Sequence, residues 1–157
     1  MADDLTALED WIGGLIGHLS PAARKKLALA IGRELRRENT RRIAANVEPD
    51  GGTMAPRKPR FDRQTGAIRS RGKMFPKIRL ARSLKVRANA DGVELGFVNP
   101  QIDRVAQIHH FGDEGYVGRT PDGRTIRTRY VARRLLGISG ADRAGIADLV
   151  LAALNPD

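Results

Sequence analysis

Cysteine is absent from the 157 residues, which excludes a disulfide framework and any thiolate metal site and fits synthesis in a reducing compartment. Aromatic residues are scarce at 4%, so a core has to be assembled from Leu, Ile, Val and Ala. No apolar run approaches the roughly 20 residues that span a bilayer, and no membrane partner is expected. The opening Met1-Ala2-Asp3-Asp4 is acidic where a secretory leader carries positive charge. These absences lead to the expectation of a soluble protein made in the cytoplasm. The length suits one domain, residues 1–157, with a single modest core.

Catalytic signatures are missing as well. His109 and His110 are adjacent, so on a helix they point about 100° apart and chelate one metal poorly. No HExxH, CxxC, nucleophile elbow or Walker spacing occurs, and no GxGxxG follows a strand. Asp113 and Glu114 lie beside glycines in a turn and read as solvated. Neither a catalytic residue nor a cofactor or metal site is expected. His109 reads as a packed or hydrogen-bonded structural residue.

What is present is positive charge, unevenly placed. The formal net charge is +10. Residues 1–50 carry 8 basic and 8 acidic side chains, residues 51–90 carry 12 and 1, and residues 91–157 carry 8 and 9. The whole surplus therefore sits in one central block, which repels itself when free and suits polyanions or an acidic partner surface. A solvated surface or a disordered loop is the alternative. Pro56, Pro59, Pro76, Gly66 and Gly72 interrupt this block and no hydrophobic period persists from Thr53 to Lys77. Such a stretch reads as an extended arm that orders against something outside its own domain. Its candidate partner-binding residues are Arg57, Lys58, Arg60, Arg63, Arg69, Arg71, Lys73 and Lys77, with Arg79 just beyond.

Periodicity places the remaining elements. Leu5, Leu8, Ile12, Leu15, Ile16 and Leu19 predict an amphipathic helix over 4–18, weakened by Gly13, Gly14 and Gly17. Ser20-Pro21 restarts the helix as cap and first turn, and Leu27, Ile31, Leu35 and Ile43 carry one face to about Ala45. Glu48-Pro49-Asp50-Gly51-Gly52 ends it. Leu84, Val86 and Ala88 alternate, then Val93, Leu95 and Phe97, across the hairpin signal Asn89-Ala90-Asp91-Gly92. Ile102, Val105, Ala106 and His109 predict a helix over 101–111 with Gly112 as its C-cap. Tyr116-Val117 and residues 125–131 flank a second hairpin turn at 120–123. Ser139 with Asp142 opens a last helix, buried through Ile146, Leu149, Val150 and Ala153. The expected class is α+β, with helices at both ends and a small antiparallel sheet between them.

Four strings go further when taken in order. They are Arg42-Ile43-Ala44 followed by Pro49-Asp50-Gly51 and Ala55-Pro56-Arg57-Lys58; Lys73-Met74-Phe75-Pro76-Lys77-Ile78-Arg79 with Ser83-Leu84; Ile108-His109-His110-Phe111-Gly112; and Arg134-Leu135-Leu136-Gly137-Ile138-Ser139 with Asp142. Together they resemble the phage virion morphogenesis, or tail completion, family of temperate contractile-tailed phages, Mu-like ones included. Thr53-Met54 stands where that family carries an aromatic, and Val131-Ala132 follows Tyr130 where it carries proline. The resemblance implies a virion component without enzymatic activity, made in the host bacterial cytoplasm and acting at the head-proximal end of the tail. It implies a homohexameric ring that meets tail tube and sheath proteins and head–tail connector proteins. The basic side chains would bind acidic partner surfaces or line a lumen through which phage DNA passes, and the sequence leaves both open. A free, non-enzymatic nucleic-acid-binding protein is the competing reading. It has charge in its favour, but only Phe61 and Phe75 as stacking aromatics and no helix-turn-helix, zinc-finger or RNA-recognition signature.

Overall fold

The computed structural model describes residues 10, 13–14, 16–61, 66, 68–69 and 74–155. Three long helices, α1 (Pro21–Ala45), α2 (Pro100–Phe111) and α3 (Gly140–Leu154), flank short strand pairs in an α+β arrangement. The strands are β1 (Arg60–Phe61), β2 (Ile68–Arg69), β3 (Leu84–Ala88), β4 (Val93–Phe97), β5 (Glu114–Arg119) and β6 (Thr125–Arg129). Among the described residues they pair with their sequence neighbours, so the antiparallel component is divided among two-stranded pairs. Of the predicted 4–18 helix, Asp10, Gly13, Gly14 and Ile16 are helical and the other positions up to Leu15 lie outside the described residues.

Contacts divide the chain into two compact units. The first comprises residues 1–37, 86–96 and 138–157. Ser20 caps α1, its Oγ accepting the Ala23 N–H at 3.2 Å. Leu27, Ala28 and Leu35 are buried along the helix. Gly32 is the point of closest approach, since a Cβ there would lie 2.3 Å from Val86 Cγ1 and 2.6 Å from Val93 Cγ2. In the β3–β4 turn Asn89 Oδ1 accepts the Asp91 and Gly92 N–H groups. The predicted capping box of α3 is formed. The Ser139 N–H donates to Asp142 Oδ2 at 2.7 Å, and the Asp142 N–H donates to Ser139 Oγ at 3.1 Å. Val150 is fully buried, with Ile146, Leu149 and Ala153 partly so.

The second unit comprises residues 38–85 and 97–137. Its core is Ile43, Met54, Ile78, Ala106 and Leu135, with Phe75, Phe97, Ile102 and Leu136 packed against it. Full burial of a side chain such as Ile43 or Leu135 stabilises by roughly 1.5–3 kcal/mol. Met54, at the position where an aromatic was expected, is 2% exposed and fills core space. Strands β5 and β6 form the second expected hairpin, with an irregularity between Tyr116 and Gly118. Gly115 lets its base close on Tyr130 and Ile108, because a Cβ would lie 2.8 Å from the Tyr130 ring. On α2 Ala106 is buried while Val105 is 47% exposed.

Candidate functional site

Within the second unit, three of the four strings and part of the fourth converge on residues 130–137. The reason begins in α1. Leu27, Ile31, Leu35, Asn39 and Ile43 recur every four residues, and the polar member of that stripe, Asn39, is only 1% exposed. A buried amide needs partners, and Asn39 Oδ1 accepts the Gly137 N–H at 3.0 Å. One turn later Arg42 Nη2 donates to the Gly137 carbonyl at 2.9 Å. Gly137 has no side chain to spare room for. A Cβ there would stand 2.5 Å from Pro49 Cγ. Pro49, Asn39 and Arg42 thus fix one glycine from three directions.

Arg134 closes the same turn from outside. Its Nε donates to Glu48 Oε2 at 3.1 Å and its Nη2 pairs with Asp50. The Gly52 N–H does most to hold the Asp50 carboxyl below its usual range, with burial opposing it and Arg134 adding to the depression. Those same carboxylates raise the Arg134 pKa, the Glu48 hydrogen bond being the largest single cause. Because the pair is exposed, it fixes geometry more than it adds stability.

Arg133 points the other way and is 4% exposed. It donates to the carbonyls of Ala55 at 2.7 Å, Pro56 at 2.9 Å and Val131 at 3.1 Å. A buried guanidinium with carbonyl acceptors ties the start of the basic segment to the core. Burial lowers its pKa, Glu48 opposing. The carbonyl of His109 accepts the Arg133 N–H at 2.7 Å.

The two histidines complete the junction, and neither resembles a metal ligand here. The His109 ring sits edge-on between Phe75 at 4.9 Å and Tyr130 at 4.6 Å. Its pKa is lowered, first by burial and then by the Arg133 charge. His110 Nδ1 accepts the Leu135 N–H at 3.2 Å, which requires that nitrogen to be unprotonated. Burial, and then Arg134, lower the His110 pKa, with Glu48 opposing. Gly112 ends α2 in the left-handed conformation at φ 74°, its N–H donating to the Ile108 carbonyl. A Cβ at Gly112 would stand 2.9 Å from the Ala132 nitrogen, so the position demands glycine twice over. Among the described residues no group of His, Asp or Glu has metal-holding geometry.

The predicted arm residues are not drawn into this junction. Arg57, Lys58 and Lys77 are exposed and Arg79 is half-buried. The β1–β2 register sets Arg60 opposite Arg69, and Arg63, Arg71 and Lys73 lie outside the described residues. The ends of the 53–77 segment are anchored, by Met54 and the Arg133 acceptors at one end and Phe75 at the other. Of the motif residues, Pro49, Asp50, His109, Gly112, Arg134, Leu135 and Gly137 join the cluster. Gly51 supplies the left-handed position of the 48–52 turn at φ 89°, and Leu136 packs on the core. Phe111 is 68% exposed, its ring edge-on to His110. Ser139 and Asp142 belong to the other unit as the α3 cap.

A model of the phage virion morphogenesis family matches residues 3–155. The chain belongs to that family. The tail completion protein S of Escherichia phage P2 is 34% identical over 156 residues, covering 98% of this chain and 99% of that protein. No solved structure matches it significantly.

For a virion morphogenesis protein the junction carries several residues that sequence reading did not single out as site residues: Asn39, Arg133, Tyr130 and Met54. Asn39 had a usable signal, an amide on an otherwise apolar every-fourth-residue stripe. Arg133 had none, since one arginine of an Arg-Arg pair is indistinguishable from the other until the chain is folded. What the arrangement does chemically is lock distant segments together around backbone groups, while burial disfavours the charged form of both imidazoles.

Proposed function

We propose that this chain is a non-enzymatic structural protein of the virion that completes the phage tail at its head-proximal end and supports head–tail joining. It acts as a closed ring of six copies, one functional domain each, with residues 53–77 as a basic arm. Its partners are other copies of itself, the tail tube and sheath proteins and the head–tail connector. The observation that carries this reading is the near end-to-end likeness to a tail completion protein. The geometry supports it: the junction anchors both ends of a basic segment, an arrangement that suits a contact arm on an assembly subunit. In a ring, one surface of each copy meets a different surface of the next and the rotation closes. The arm contacts protein, Arg57 and Lys58 among its exposed contributors, with DNA in the lumen as the alternative target.

Electron microscopy of phage lacking the gene, complemented with wild-type or variant protein, tests this. Wild type is expected to give tails capped by a ring and joined to heads. Replacing residues 59–72 by a neutral linker, which spares Met54, Pro56 and Phe75, is expected to abolish the ring. Ring-capped tails that leak DNA would move the arm's target to DNA. Normal yields of joined particles without any copy of this protein would overturn the proposal. The +10 charge also fits a free nucleic-acid binder, which filter binding would reveal as tight binding with a steep salt slope.

A further inference from the structure

Helix α2 leaves part of its surface uncovered. Val105, Ile102, Ile78, Phe75 and Pro76, with the exposed Lys77 among them, line a groove of about 350 Å3 whose walls are almost wholly apolar. Its chemistry is an apolar floor within basic surroundings: residues 73–87 carry six Lys or Arg and no acid. An occupant should therefore be apolar on one side and acidic on the other.

One segment of this chain has that character. Leu5, Leu8, Ile12, Leu15, Ile16 and Leu19 follow helical spacing, and Asp3, Asp4, Glu9 and Asp10 are interleaved with no Lys or Arg before Arg24. Its described residues are mostly uncovered, with Ile16 and Leu19 half-buried. Asp10, Gly13 and Gly14 are exposed, and a Cβ added at Gly13 or Gly14 meets nothing within 4 Å. Three glycines give it low intrinsic helix propensity, and a segment of this pattern is suited to laying an apolar face into a groove. Val105, at 47% exposure, is equally open in the isolated chain.

We propose that the acidic N-terminal segment, residues 3–19, of one copy docks in the Phe75–Ile102–Val105 groove of the next copy. The inference rests on the self-assembly reading above and names its two surfaces. They are different surfaces, so the contact is head-to-tail and repeats from copy to copy, as ring closure requires. Salt bridges between the segment's carboxylates and Lys77 set register, while the apolar contact supplies the affinity.

The absence of cysteine makes the test clean. Chains carrying Leu5→Cys, Leu8→Cys or Ile12→Cys are each mixed with chains carrying Val105→Cys, assembled onto tails and mildly oxidised. A covalent dimer is expected for at least one pairing. Lys77→Glu should cut its yield several-fold, and adding Asp10→Lys in the segment-bearing partner should restore it. Intact rings with no dimer from any pairing would overturn the inference and leave the ring standing. Tails without rings and without dimers would sink both. If a chain carrying both Leu8→Cys and Val105→Cys cross-links only within itself, without dimer, the segment occupies its own groove and the proposal fails. Urea denaturation of each variant confirms that lost cross-linking is not lost folding.

Discussion

In the unit of residues 1–37, 86–96 and 138–157, the hydrogen bonds described above close over short stretches of chain. Ser20 reaches Ala23, Asn89 reaches Gly92, and Ser139 and Asp142 bond reciprocally. Its other feature is side-chain packing at Gly32. In the unit of residues 38–85 and 97–137, the bonds that matter span the sequence. Gly137 meets Asn39 and Arg42, Arg133 meets Ala55 and Pro56, and Arg134 meets Glu48. One region is made of local rules joined by apolar contact. In the other, polar side chains hold remote backbone groups, so each buried tie is individually costly to lose, the exposed Arg134–Glu48 pair excepted.

The sharpest break in that contrast is Arg133→Ala. It strips three carbonyls of a buried donor and is expected to destabilise by roughly 3–4 kcal/mol. Arg37→Ala, removing an exposed pair with Glu34, should stay within about 0.5 kcal/mol. Urea midpoints read both, and similar values would erase the distinction.

Next come the two close-approach glycines. Gly137→Ala drives a Cβ into the Pro49 ring and is expected to cost about 2–3 kcal/mol. Gly32→Ala meets Val86 and Val93 just as closely, but regains roughly 1 kcal/mol of helix propensity. Thermal unfolding should therefore rank Gly137→Ala as the more damaging. The reverse order would mean that the hairpin is less yielding than the proline turn.

Loss of a cap is smaller and confined to its own helix. Ser139→Ala should cost about 1 kcal/mol, with early hydrogen exchange limited to the first turn of α3. Exchange spreading through residues 130–137 would contradict a local role.

The pH dependence is the mildest effect and belongs to the second unit. His109 and His110 have pKa values below 6.5 in the folded chain, so below that pH the unfolded chain binds more protons. Stability is then full above about 6.5 and falls as pH drops toward the lowered folded values. His110→Gln, whose amide oxygen can still accept the Leu135 N–H, should flatten that fall between pH 7 and 5.5. An unchanged slope in a His109→Gln, His110→Gln double variant would assign the dependence elsewhere.

Much of the fold was legible because its rules are local. The α1 boundaries, the Asn89 and Thr120 turns, the Gly112 cap and the Ser139–Asp142 box each follow from residue types a few positions apart. The motif strings were legible as strings, but not as one place. Spacing predicted the α2 helix but left the exposure of Val105 open, because it fixes which residues share a face, not how far the neighbouring surface extends across it.

By itself the sequence determined the α+β class, the charge block, the caps and turns, and the family resemblance, because each depends on spacing or composition along the chain. Only the tertiary structure decided that Arg133 rather than Arg134 is buried, that Asn39 belongs to the core, and that Pro49 and Gly137 touch. Those outcomes turn on which distant backbone groups come within about 3 Å of a donor, a distance that hydrogen bonding enforces and that no local pattern encodes.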